Sequence, residues 1–128
     1  MFSRLCLLPL IWSLVISCAF ETTVTATTPE TIENAITKAS RYLREQGQQP
    51  DGSFSPQSGP AVTALAIAAL VRTGTSADSP MVLRAVQYVL TFQQSDGGIY
   101  QRESAIANYE TSIAILALHE CNTSGQYE

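Results

Sequence analysis

Gln48-Gln49-Pro50-Asp51-Gly52-Ser53-Phe54 returns 45 residues later as Gln93-Gln94-Ser95-Asp96-Gly97-Gly98-Ile99. Each copy follows an amphipathic stretch containing Lys/Arg-Ala-x-x-Tyr, at Lys38–Tyr42 and at Arg84–Tyr88, and each precedes a run rich in Ala, Leu and Ile. Thr63 and Thr111, in those runs, lie 48 residues apart. A period in this range marks one supersecondary unit stacked on copies of itself.

Working outward from the first copy, Thr28-Pro29-Glu30 reads as an N-cap, a proline at the first helical position and an acid in the first turn. Ile32, Ala35, Ile36, Ala39, Tyr42 and Leu43 follow at helical spacing, with Glu33, Lys38, Arg41, Arg44 and Glu45 on the other side. This predicts an amphipathic surface helix that stops near Gly47. The Pro50-Asp51-Gly52 cluster makes a tight turn. Ser58-Gly59-Pro60 opens a second helix in which only Thr63 is polar between Ala61 and Val71, and Thr73-Gly74 ends it. Ser79-Pro80 then caps a helix with the stripe Val82, Ala85, Val86, Val89 and Leu90, and Ile106–Leu118 forms the last apolar helix. No β-type alternation of useful length occurs. The expected class is all-α: two helical hairpins, residues 29–74 and 79–122, each pairing an amphipathic outer helix with a more buried inner one. Enough such hairpins close into an α/α barrel. Two leave apolar inner helices on an open edge, where each exposed Leu or Ile forgoes about 1.5–3 kcal/mol. Either the chain continues or a partner, protein or hydrophobic ligand, covers that edge.

The first 26 residues read as a leader and Thr-rich spacer, ahead of a repeat domain at 27–128. Met1-Phe2-Ser3-Arg4 is a positively charged start, and Leu5–Phe20 carries no charge. That body, broken by Pro9, is short for a membrane-spanning helix, which needs about 20 residues, and fits an export signal. Small residues precede possible cuts at Val24-Thr25-Ala26 and Ser17-Cys18-Ala19. Val15-Ile16-Ser17-Cys18 also resembles a bacterial lipoprotein box, so a membrane anchor would run through a lipidated Cys18. The expected location is periplasmic or extracellular. A net charge of −4 lacks the basic patch that nucleic acid requires. Cys6 and Cys18 fall in the leader, so Cys121 is left without a disulfide partner and reads as a small buried hydrophobe.

The second unit, Arg84-Ala85-Val86-Gln87-Tyr88-Val89 followed by Gln93 and Gly97-Gly98-Ile99, closely resembles the QW repeat of squalene and oxidosqualene cyclases. Lys38-Ala39-Ser40-Arg41-Tyr42-Leu43 with Gln48 and Gly52-Ser53-Phe54 matches it as well, allowing one inserted residue near Gly47. The resemblance spans both hairpins and implies the α/α toroid of terpenoid cyclases and protein prenyltransferases. It implies that Gln48 and Gln93 hydrogen-bond backbone groups at helix ends, and that the residue after Gly packs over the same turn. Phe54 and Ile99 stand where that repeat has Trp.

The chemistry of that superfamily has no counterpart here. No Asp-x-Asp-Asp occurs, no Gly-Cys-Gly-Glu-Gln thioester run occurs, and His119 and Cys121 stand in the wrong order, without an Asp, for the zinc pair of prenyltransferases. Asp51 and Asp96 lie in Asp-Gly turns, where Asp normally caps its own backbone. Glu103 and Glu110 flank Tyr109 near the start of the last helix, where an acid complements the helix dipole and a pocket-lining role for Tyr109 or Glu110 is conceivable. Tyr42 and Tyr88 recur at one repeat position and read as packing residues. Asn122-Thr123-Ser124 is a formal glycosylation sequon, meaningful in a eukaryotic source. No residue is assigned to catalysis, a cofactor or a metal. Two functions follow as expectations: an exported, non-catalytic scaffold or binding module, or the N-terminal part of a cyclase-like enzyme whose catalytic residues lie beyond Glu128.

Overall fold

Pro29 opens the first helix because its missing N–H is not needed there and its φ is already helical. In the computed structural model, which describes residues 28–125 and 127, α1 runs Pro29–Tyr42 with the Thr28 hydroxyl accepting from the Thr31 N–H at 3.3 Å. The expected leader, with its expected cleavage sites and Cys6 and Cys18, lies outside the described residues. A five-residue π turn, Leu43–Gly47, continues α1. It accommodates the inserted residue that separates the two copies: equivalent positions are 46 apart at Lys38/Arg84 and 45 apart at Gln48/Gln93.

After a 3-10 turn at Pro56–Ser58, α2 runs Gly59–Arg72. It ends in a Schellman motif, with Thr75 N–H donating to Leu70 C=O (2.9 Å), Gly74 N–H to Val71 C=O (3.0 Å), and Gly74 at φ +92°. Ser79 caps α3, Pro80–Leu90, through its hydroxyl and the Val82 N–H. The last helix, α4, spans Ala107–Cys121, three residues beyond the expected end. Among the described residues there is no strand, only an isolated bridge between Gln93 and Ile99. The chain is all-α.

The core gathers where α2 meets its two neighbours. Along α2, Ala64, Ile67 and Leu70 are essentially inaccessible; Val82, Ala85, Val86 and Val89 of α3 and Ala114 and Ala117 of α4 are sealed as well. α2 packs most extensively on α4 and next on α3, while α3 rests on α2 rather than on α4, to which the chain joins it. An outer helix is thus seated on the inner helix of the unit before it. Among the described residues no inner helix precedes α1, and the consequence departs from the expected layering. Ile32, Ala35, Ile36 and Ala39 are exposed, and Ser40 is the one buried residue of α1. The Ser40 hydroxyl donates to Thr73 Oγ1 at 3.1 Å, tying α1 to the end of α2. Tyr42, expected to pack like Tyr88, is 62% exposed, whereas Tyr88 is half-buried and meets Phe92 edge-on at 5.2 Å. The inner helices are not enclosed either: Val62 and Leu65 of α2 and Ile115 of α4 face solvent.

Candidate functional site

The repeated loops are hydrogen-bonded alike. Gln49 N–H donates to Ser53 C=O and Gln94 N–H to Gly98 C=O, both at 2.8 Å; Gly52 N–H returns to Gln49 C=O and Gly97 N–H to Gln94 C=O, both at 3.0 Å. Asp51 Oδ1 accepts from Ser53 N–H (3.0 Å) and Ser53 Oγ (2.7 Å), and Asp96 Oδ1 accepts from Gly98 N–H (2.9 Å). These bonds fix both aspartates as turn caps. They hold both carboxyls below the usual range, through Ser53 for Asp51 and through the Tyr100 hydroxyl, then Gly98 N–H, for Asp96. Each loop is then stapled to its inner helix by a threonine: Phe54 N–H donates to Thr63 Oγ1 (3.1 Å) and Ile99 N–H to Thr111 Oγ1 (3.2 Å). Phe54 and Ile99 both join the core in the place expected for the aromatic.

The equivalence breaks in what surrounds the loops. Gln48 Nε2 donates to Gly52 C=O (3.1 Å) and to Met81 C=O in the first turn of α3 (2.9 Å), while its Oε1 accepts from Arg84 Nη2 (2.8 Å). Gln48 thus bonds a backbone carbonyl at a helix end, as the resemblance implied, and in doing so links the first unit to α3 of the second. Gln93 does not. It is exposed and its side chain makes no hydrogen bond among the described residues; the neighbouring Gln94 instead donates to Phe92 C=O and Tyr100 C=O, both at 2.9 Å. Among the described residues no outer helix follows α4 to supply Gln93 with a carbonyl. Gly52 and Gly97 show the same contrast: both have positive φ, but a Cβ on Gly52 would sit 2.5 Å from Arg84 O, whereas one on Gly97 would meet nothing within 4 Å. On the inner helices, Ile67 is fully buried and its counterpart Ile115 is 60% exposed.

The opposite end is open in the complementary sense. Positions 46 apart align Ile36, Ala39 and Leu43 of the first unit with Val82, Ala85 and Val89, the sealed stripe of α3. Ile36 is 45% exposed where Val82 is inaccessible. On α2, Val62, Leu65 and Ala69 are exposed, while their counterparts Glu110, Ile113 and Ala117 are wholly or partly covered. The molecule thus has a leading face on α1 and α2 and a trailing face on α4 and the 93–99 loop. Two grooves lie on the trailing side: one of about 320 Å³ is lined by Ile115, Leu118, His119, Asn122 and Tyr127, and another of about 310 Å³ lies between Tyr100 and Ser112.

The remaining titratable groups do not converge on either groove as a reactive set. Glu110 is 3% exposed, at the start of α4, and its Oε2 accepts from the Gln101 N–H (3.0 Å), a burial the sequence reading did not single out. Gly59 packs closely against it: a Cβ there would lie 2.8 Å from Glu110 Oε1. Glu103, in the same loop, turns away at φ +67° and is exposed, as is Tyr109. Cys121 is buried, which pushes its thiol up, while His119 faces outward, so His-x-Cys does not form a ligand pair. Among the described residues no group of three or more His, Cys, Asp or Glu could hold a metal ion, and no helix is long and apolar enough to cross a membrane. No family model matches the chain, and no similar protein was found among curated sequences or solved structures.

Proposed function

We propose that this chain is an exported repeat protein of the α/α-toroid type, acting without catalysis as a scaffold or binding module through its open repeat faces. The observation that carries the reading is positional. Gln48 and Gly52 of the first unit are engaged by α3 of the next and Ile67 is fully buried, whereas their counterparts Gln93, Gly97 and Ile115 are all exposed. A protein partner ranks ahead of a hydrophobic small molecule, because the uncovered apolar residues are spread over α1, α2 and α4 rather than gathered in one enclosed apolar pocket of the kind small-molecule sites typically use. The export part of the reading rests on the charged start and apolar body of residues 1–20, with Cys18 as the point of any lipid anchor.

The test is binding of an anilinonaphthalene dye by the folded full chain at about 1 μM, a dilution that disfavours associations weaker than this. Dye fluorescence above that of a monomeric globular control is expected. Ile36→Glu and Ile115→Glu should each reduce it by roughly half, since each removes one apolar face. A folded chain with no more dye signal than the control would sink the proposal.

A further inference from the structure

We infer that the partner of the trailing face is the leading face of a second copy of this chain, joined head to tail as the first unit joins the second within one molecule. The inference rests on the binding-module reading above and gives that module its partner. Its template is the internal joint. There α3 lies on α2 and over the 48–54 loop, with Met81 C=O and Arg84 accepting from and donating to Gln48, and with the Arg84 carbonyl pressed on Gly52. The trailing face repeats the receiving half of that joint in Gln93, Gly97 and Ile115, all exposed. α1 repeats the inserting half: Ile36, Ala39 and Leu43 match Val82, Ala85 and Val89, Lys38 matches Arg84, and Ala35 stands where Met81 offers its carbonyl.

When α1 of a second copy is seated as α3 is, Ala35 C=O and Lys38 Nζ reach the two ends of the Gln93 amide. The Lys38 carbonyl then closes on Gly97, whose missing side chain leaves the room that Gly52 leaves for Arg84. Ile36 and Ala39 come onto the trailing face as Val82 and Ala85, in one buried cluster with Ile67, come onto α2. The inner helices extend the same logic. α4 packs on α2 within the chain, so Val62 and Leu65 of the incoming α2 meet the exposed side of α4. The π turn at Leu43–Gly47 begins at the last of these residues, so the spacing of Ile36, Ala39 and Leu43 still matches that of Val82, Ala85 and Val89. Such a contact is heterologous, so each copy keeps one free face, and association continues until a ring closes or a fibre grows.

The experiment is sedimentation equilibrium of the full chain, alone and in mixtures, up to about 1 mM, where even millimolar affinities populate complexes. The wild-type mass should rise with concentration beyond one chain. Ile36→Glu, which damages the leading face, and Ile115→Glu, which damages the trailing face, should each stay at the mass of a single chain, with at least a tenfold loss of affinity. Both sites are solvent-exposed, so unchanged helical circular dichroism is expected and checks folding. Mixed in equal amounts, the two variants should recover association that stops at two chains, because each retains the face the other has lost. A monomeric wild type, association that survives in the Ile36→Glu/Ile115→Glu double variant, or a mixture that stays monomeric would overturn the inference. A monomeric wild type that still binds the dye leaves the binding-module reading standing, whereas one that binds no dye removes both.

Discussion

At the scale of single residues, the two Asp-Gly turns carry the same carboxylate job with different second partners. Asp51 binds a serine hydroxyl, and Asp96 binds the Tyr100 hydroxyl. Both carboxyls are lowered in the folded chain, so the stability they contribute is fully present above the ordinary carboxylate range of about 4 and is lost as pH falls below it. Asp51→Asn keeps an oxygen that can accept from Ser53 N–H but removes the titration. Urea midpoints measured at pH 6 and pH 3 should therefore fall less between the two pH values for Asp51→Asn than for wild type. These roles were legible from Asp followed by Gly. The burial of Glu110 was not, because it depends on Gly59 arriving from the other hairpin, 51 residues earlier, a placement no local pattern records.

At the scale of elements, caps and spacing announced nearly every boundary: Thr28-Pro29, Thr73-Gly74 and Ser79-Pro80 each act at the position their chemistry favours. The pairing of Thr63 with Thr111 was also visible as a repeat, though its purpose, holding the backbone N–H of Phe54 and Ile99, required the fold. What spacing could not show is whether a stripe finds anything to cover it. α1 has as clear an apolar face as α3, yet Ile36 stays in solvent because α3 rests on α2 while no described inner helix precedes α1. The two glycines offer a measurement of that difference. Gly52→Ala forces a Cβ against the Arg84 carbonyl at positive φ and should cost about 3 kcal/mol or more, whereas Gly97→Ala pays only for the left-handed backbone, about 1 kcal/mol. Thermal or urea unfolding of the two variants in dilute solution, where copies are separate, gives the comparison. Equal costs would mean that Gly52 is not held against α3.

At the scale of the whole molecule, stability is concentrated around α2 and thins toward both ends. Ile67 sits at its centre with no exposed surface, so Ile67→Ala should cost about 2–5 kcal/mol. Its counterpart Ile115 is 60% exposed, and Ile115→Ala should change the stability of the dilute chain by no more than about 0.5 kcal/mol. Denaturant unfolding of both variants at micromolar concentration checks the gradient. The Arg72–Glu120 pair at 2.7 Å links α2 to α4 at the surface, where such bridges contribute little, and does not alter this picture. The π turn at Leu43–Gly47 gives the molecule one more property. Its extra residue lengthens the path from outer helix to loop in the first unit, while the second unit has three more residues between loop and inner helix (Ile99 to Thr111 against Phe54 to Thr63), so the two hairpins share a plan but are not interchangeable piece for piece.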